Sequence, residues 1–153
     1  MKRSVLLLAV LALVGASLAV SAATSVGLVL GLDPTGLFVF SALAETSITP
    51  DLDLRTEAGI ATADDIAGLM LATATILYHY PLEPFDPYIG LGGGFALTPP
   101  PFSTGVVAEA VGGVRIIPSE PFVLFGQVRF LVRWSGGSVT TGPVYEAGVQ
   151  IRF

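Results

Sequence analysis

The segment 144–153, Val-Tyr-Glu-Ala-Gly-Val-Gln-Ile-Arg-Phe, alternates along its length between apolar residues and Glu, Gln or Arg. Tyr145, Ala147, Val149, Ile151 and Phe153 fall on one parity, and Glu146, Gln150 and Arg152 on the other. A period of two is the spacing of side chains on a β-strand, which point to opposite faces in turn. The pattern recurs upstream. In 51–61, Asp53, Arg55 and Glu57 oppose Leu52, Leu54, Ala58 and Ile60. In 105–117, Glu109 and Arg115 oppose Ala108, Ala110, Val114 and Ile116. In 122–134, Gln127, Arg129 and Arg133 oppose Leu124, Val128, Phe130, Val132 and Trp134.

Other runs carry a weaker form of the signal, with small residues where these four carry charge. Val26, Leu28, Leu30 and Leu32 oppose Gly27, Val29 and Gly31, and Ile89, Leu91, Phe95 and Leu97 oppose Gly90, Gly92 and Gly94. Clusters of Pro, Gly, Asp and Ser separate the runs, because these residues suit turns and interrupt a ladder. The spacing predicts eight strands, at 25–32, 37–46, 51–61, 67–80, 87–97, 105–117, 122–134 and 143–153. Their lengths match strands that cross a membrane at a tilt, about 9–11 residues each.

The parity leaves open which face is inside. Composition decides it. Hydrophobic residues make up 52% of the chain and charged residues only 12%, too little charge for an ordinary wetted surface. The charged faces are nearly balanced, with Asp53, Glu57, Glu109 and Glu146 against Arg55, Arg115, Arg129, Arg133 and Arg152. Buried charges need such partners, whereas a water-facing surface does not. We therefore expect a barrel that is polar inside and apolar outside, with Gln127 and Gln150 completing the interior network. In lipid only a closed barrel satisfies every strand hydrogen bond without edges. A hairpin count places Glu109 opposite Arg129, and Arg133 diagonal to Glu146. With both termini on the periplasmic side, Tyr78, Tyr80, Phe122 and Phe153 belong near one rim. Phe38, Trp134 and Tyr145 belong near the other, aromatics being favoured at membrane interfaces. The unpaired acids sit mostly in connectors, as Asp33, Asp64, Asp65, Glu83, Asp86 and Glu120 do.

Residues 1–23 read as a secretory signal peptide. A basic start, Met1-Lys2-Arg3, precedes an uncharged stretch from Val5 to Val20, and Ser21-Ala22-Ala23 offers cleavage after Ala22 or Ala23. Residues 24–153 then form one domain. That portion has no lysine, so five arginines face all twelve acids of the chain. Such a balance excludes nucleic acid as a partner, since its phosphates need cations. Cysteine is absent, which excludes disulfides and thiolate ligands.

Few motifs carry chemistry. Gly90 to Gly94 would need a following helix to cradle phosphate, and Phe95-Ala96-Leu97 continues a strand instead. Asp51-x-Asp53-x-Arg55 starts like a calcium loop, but Arg55 fills a ligand position. Asp64-Asp65 reads as a solvated turn rather than an ion site. No metal or cofactor is expected. His79, the only histidine, is followed by Tyr80-Pro81 with no nearby serine, and reads as a barrel-lining or rim residue rather than a catalytic one.

With its signal peptide, its eight alternating runs and the segment Pro87-Tyr88-Ile89-Gly90-Leu91-Gly92-Gly93-Gly94-Phe95, the sequence resembles the small eight-stranded outer-membrane barrels of the OmpA, OmpX and OmpW type. The ending Tyr145-x-Ala147-x-Val149-x-Ile151-x-Phe153 is similar to the signal read by the outer-membrane assembly machinery. The resemblance implies an all-β, up-and-down transmembrane barrel in the outer membrane of a diderm bacterium, with lipid and that machinery as partners. From the residues themselves we expect a structural, envelope-stabilising role without enzymatic activity, the lumen plugged by Arg–acid pairs. Eight strands leave room for side chains rather than a wide channel. The alternatives are a narrow pore for small or apolar solutes, a lipid-modifying enzyme as some small barrels are, and a soluble barrel with an apolar cavity. A helical membrane protein is disfavoured, because Ile66 to Tyr80 is too short a charge-free stretch to span. The outward loops are short and no peptidoglycan-binding domain follows, unlike several relatives.

Overall fold

The computed structural model describes residues 24–63, 66–80, 82–98 and 103–153. The expected signal peptide, the Asp64-Asp65 turn and the Pro99–Pro101 connector lie outside the described residues. Eight strands follow one another: β1 (Ser25–Leu32), β2 (Phe38–Thr49), β3 (Leu52–Ala63), β4 (Ile66–His79), β5 (Phe85–Thr98), β6 (Ser103–Ser119), β7 (Phe122–Ser135) and β8 (Ser138–Arg152). Each pairs antiparallel with the next, and β8 pairs with β1 to close the barrel. All eight predicted runs are strands, most of them slightly longer than predicted.

The alternation places the two faces as charge balance requires. Among the described strand residues, the outward parity carries no Asp, Glu, Arg, Lys or His. It presents instead half-exposed Leu30, Phe40, Ile60, Met70, Leu91, Phe95 and Phe130. Burying such a surface in water-free surroundings is favourable in proportion to its apolar area. On the inward parity, glycines make room for large partners. Tyr88 pairs across to Gly113 and Phe125 to Gly148, and a Cβ on either glycine would run into the facing ring.

Turns fix the register. Gly136 and Gly137 have φ of +56° and +84°, so they form the two-residue turn whose twist suits a hairpin and whose φ favours glycine. Strand β8 therefore starts at Ser138 instead of residue 143. Arg133 consequently faces Thr140, while Glu146 faces Gln127, which overturns the expected Arg133–Glu146 diagonal. In the preceding hairpin, which has a one-residue register shift between Ile116 and Ser119, the observed pairing is offset by two residues from the simple count, so Arg129 faces Val111 and Glu109 faces Leu131. An even shift preserves every facing, which is why the parity survived the wrong register.

A candidate functional site: the barrel lumen

The lumen is built in layers. Through its middle run two ion clusters. In the lower one, at the end that carries the β2–β3, β4–β5 and β6–β7 turns, Glu45 on β2 holds two guanidinium groups. Its Oε1 accepts from Arg55 Nε at 2.6 Å and its Oε2 from Arg115 Nη2 at 2.8 Å. Strands β2 and β6 lie opposite each other in a ring of eight, so the Glu45–Arg115 pair spans the lumen. Arg115 Nη1 also approaches Asp53 Oδ2 at 3.3 Å and Asp86 Oδ2 at 3.7 Å. His79 sits between the same two acids, with Nε2 3.1 Å from Asp53 and Nδ1 3.2 Å from Asp86. The Arg55 guanidinium lies between the rings of Tyr88 and Phe125, about 5 Å from each centroid.

The second cluster centres on Arg129. It pairs with Glu57, with Glu146 at 3.1 Å and with Glu109 at 3.4 Å. Three carboxylates around one cation need further donors, and hydroxyl and amide groups supply them. Ser41 Oγ donates to Glu57 at 2.6 Å, Thr75 donates to Glu109, and the Gln127 amide donates to Glu146. Gln127 also joins the clusters, because its Oε1 accepts from Arg55 Nη1 at 2.6 Å and from the Tyr88 hydroxyl at 2.7 Å. Arg55, Arg115 and Arg129 are each only 2% exposed. At that depth each charge depends on its partners rather than on water.

Above the Arg129 cluster the lumen is apolar. Val39, Ala61, Leu69, Leu71, Ala96, Val107 and Val144 form one buried group, with Leu37 and Leu131 packed against it. This layer corrects the expectation of a uniformly polar interior. Below the lower cluster a cavity of about 650 Å³ opens at the barrel end, with Glu45, Asp53, His79, Asp86 and Arg115 among its lining residues.

The residues named from sequence divide accordingly. Asp53, Arg55, Glu57, Glu109, Arg115, Gln127, Arg129 and Glu146 meet in the two clusters, and Gln150 is buried at 1% exposure with its amide nitrogen unpartnered among the described residues. Arg133 and Arg152 have inward parity but join no ion pair among the described residues. Arg133 is half-buried towards the opposite end and Arg152 exposed at the mouth, where water solvates the charge. Sequence reasoning missed Glu45, because the run 37–46 carries that charge alone and so showed no alternation. It also missed Tyr88, and placed Asp86 in a connector although Asp86 belongs to β5. The expected balance of acids and arginines gives way to six acids around three arginines and His79.

Phe38, Tyr78, Tyr80, Phe122, Trp134 and Tyr145 lie on the outside and Phe153, just past the end of β8, sits on the rim where it also lines the cavity mouth, all at 45–82% exposure. Tyr78, Tyr80, Phe122 and Phe153 lie towards the end with the cavity, and Phe38 and Trp134 towards the other. On one side Tyr145 faces Leu32, the last residue of β1. On the other it pairs with Val128 midway along β7, because β8 starts earlier than predicted.

No protein-family model matches the chain, and no curated protein matches it by sequence. Solved structures do match. Neisserial surface protein A is similar at a TM-score of 0.65 and 18% identity, over 84% of this chain and 94% of that one. The N-terminal β-barrel domain of Pseudomonas aeruginosa OprF has a TM-score of 0.65 at 14% identity, over 86% and 98%. The outer membrane enzyme PagL has a TM-score of 0.60 at 12% identity, over 84% and 99%. Identities this low speak for the fold alone. The chain has the closed eight-stranded antiparallel fold of the small outer-membrane β-barrel proteins.

Proposed function

We propose that the protein is a non-conducting barrel of the outer membrane of a diderm bacterium, where it stabilises the envelope. The observation that carries this reading is the double obstruction of the lumen. Two ion clusters tie opposite walls together, and an apolar layer lies above them. A hydrated ion would have to break buried ion pairs and then cross a dry layer, and each step is costly. The uncharged outer face supports lipid as its solvent, against the reading of a soluble barrel with an apolar pocket. Tyr145, Val149, Ile151 and Phe153 are then the residues through which the assembly machinery would recognise the chain, after cleavage of the segment 1–23.

The likeness to PagL raises an enzymatic reading. Both ring nitrogens of His79 face carboxylates, and no serine hydroxyl bonds to it among the described residues. With an acid beside each nitrogen but no hydroxyl bonded to either, the imidazole has no nucleophile to activate among the described residues. The reading without catalysis is therefore preferred. Lipid A mass analysis with and without the protein should show no difference, and a shortened lipid A would count against it.

The narrow-pore reading is separated by planar-bilayer recordings. The wild-type barrel should give no reproducible conductance steps. Steps that diminish in Arg129→Ala or Glu109→Ala would show the clusters to be a conducting path and refute the plug.

A further inference from the structure

The cavity of about 650 Å³ at the turn-bearing end is within the size range of small-molecule sites. It is a blind cup, since the ion clusters and the apolar layer fill the lumen beyond it. The charges at its mouth are arranged with a polarity. Glu83 lies in the β4–β5 turn and is exposed, without an ion-pair partner among the described residues. Asp86, the second residue of β5, lies just inside it, already beside His79 and Arg115, so that the exposed Glu83 carries the free negative charge of this side. Arg152 closes β8, also exposed and without an ion pair among the described residues. In a closed ring of eight, β8 stands directly across from β4. One side of the mouth is therefore anionic and the opposite side cationic. Phe85, Ile117 and Phe153 supply apolar surface at the same opening.

From this juxtaposition we propose that the cup binds short zwitterionic peptides. The ligand's ammonium group faces Glu83 and Asp86, its carboxylate faces Arg152, and its side chains lie on Phe85, Ile117 and Phe153. A cation alone would leave Arg152 unmatched, and an anion alone would meet Glu83 and Asp86. Only a ligand carrying both charges at its two ends complements both sides. The site is separate from the plug, so binding is independent of whether the barrel conducts.

The test uses the purified protein in uncharged maltoside micelles, titrated with dialanine and followed by backbone amide shifts of Glu83, Phe85, Asp86 and Arg152. N-acetyl-dialanine amide, putrescine and succinate serve as the neutral, cationic and anionic comparisons. Dialanine should bind, and each comparison should bind at least about fivefold more weakly. Glu83→Gln and Arg152→Gln should each weaken dialanine by about fivefold. Both side chains are exposed, so a retained heat-dependent gel shift will certify that the variants are folded. The swap Glu83→Arg with Arg152→Glu should keep binding, because the ligand can reverse, while Glu83→Arg alone should lose it. Absence of dialanine binding overturns the proposal. So does equal or tighter binding of any comparison, or indifference to either single substitution.

Discussion

Arg129 on β7 reaches Glu57 on β3, the strand directly across the ring, and so ties opposite walls of the barrel together. The same guanidinium holds Glu109 and Glu146. Its removal would leave three buried carboxylates without their cation. Arg129→Ala should lower the stability of the vesicle-inserted barrel by about 3–5 kcal/mol, read from reversible urea unfolding. A loss under about 1 kcal/mol would mean that water already reaches the cluster.

Glu45 holds Arg55 and Arg115 together, whereas Glu83 is exposed and has no ion-pair partner among the described residues. Glu45→Ala should therefore destabilise by about 3 kcal/mol or more. Glu83→Gln should stay within about 0.5 kcal/mol of wild type in the same unfolding experiment. Equal effects would contradict the assignment of Glu45 as the hub of the lower cluster.

Two glycines of the barrel wall should respond in opposite ways. Gly94 points inward, and a Cβ there would overlap the backbone carbonyl oxygen of Ala72 on the neighbouring strand. Gly112 points outward with nothing within 4 Å of its would-be Cβ. Gly94→Ala should reduce the folded fraction recovered on refolding into vesicles, and Gly112→Ala should leave it unchanged. Equal yields would place the β4–β5 contact elsewhere.

Asp33 opens the β1–β2 turn, outside the strands. Slight burial acts to raise its pKa, but donors outweigh that. The Thr35 hydroxyl and the backbone amides of Leu37, Thr35 and Gly36 hold its carboxyl below the usual aspartate value. A folded pKa below the unfolded one means that the turn gains stability above the unfolded value and loses it as pH falls through the folded one. The Asp33 carboxyl resonance should titrate below that of aspartate in an unstructured peptide, and Thr35→Ala should move it upward. A midpoint at the peptide value would refute the capped turn.

The strands that carry charge on one face were legible because alternate side chains take opposite faces, so parity alone groups Arg55, Glu109, Arg129 and Glu146 on the charged face. The apolar layer was hidden for the converse reason. On β4, Leu69 and Leu71 face inward and Met70 faces outward, and no alternation separates leucine from methionine. Glu45 and Asp86 needed neighbours in space, Arg55, Arg115 and His79, that lie on other strands. The register of β7 and β8 was in principle readable, since Ser135-Gly136-Gly137-Ser138 has the composition of a two-residue hairpin turn. Arg133 and Arg152 show the limit of parity. Alternation tells which way a side chain points, while its height along the barrel decides whether it is buried.

The central claim is a closed barrel living in the outer membrane. It is tested most directly by heat-modifiable migration of the protein recovered from fractionated envelopes. The account predicts recovery with the outer-membrane fraction and different gel mobilities before and after boiling. Recovery in the soluble periplasmic fraction, with a single mobility under both conditions, would contradict it.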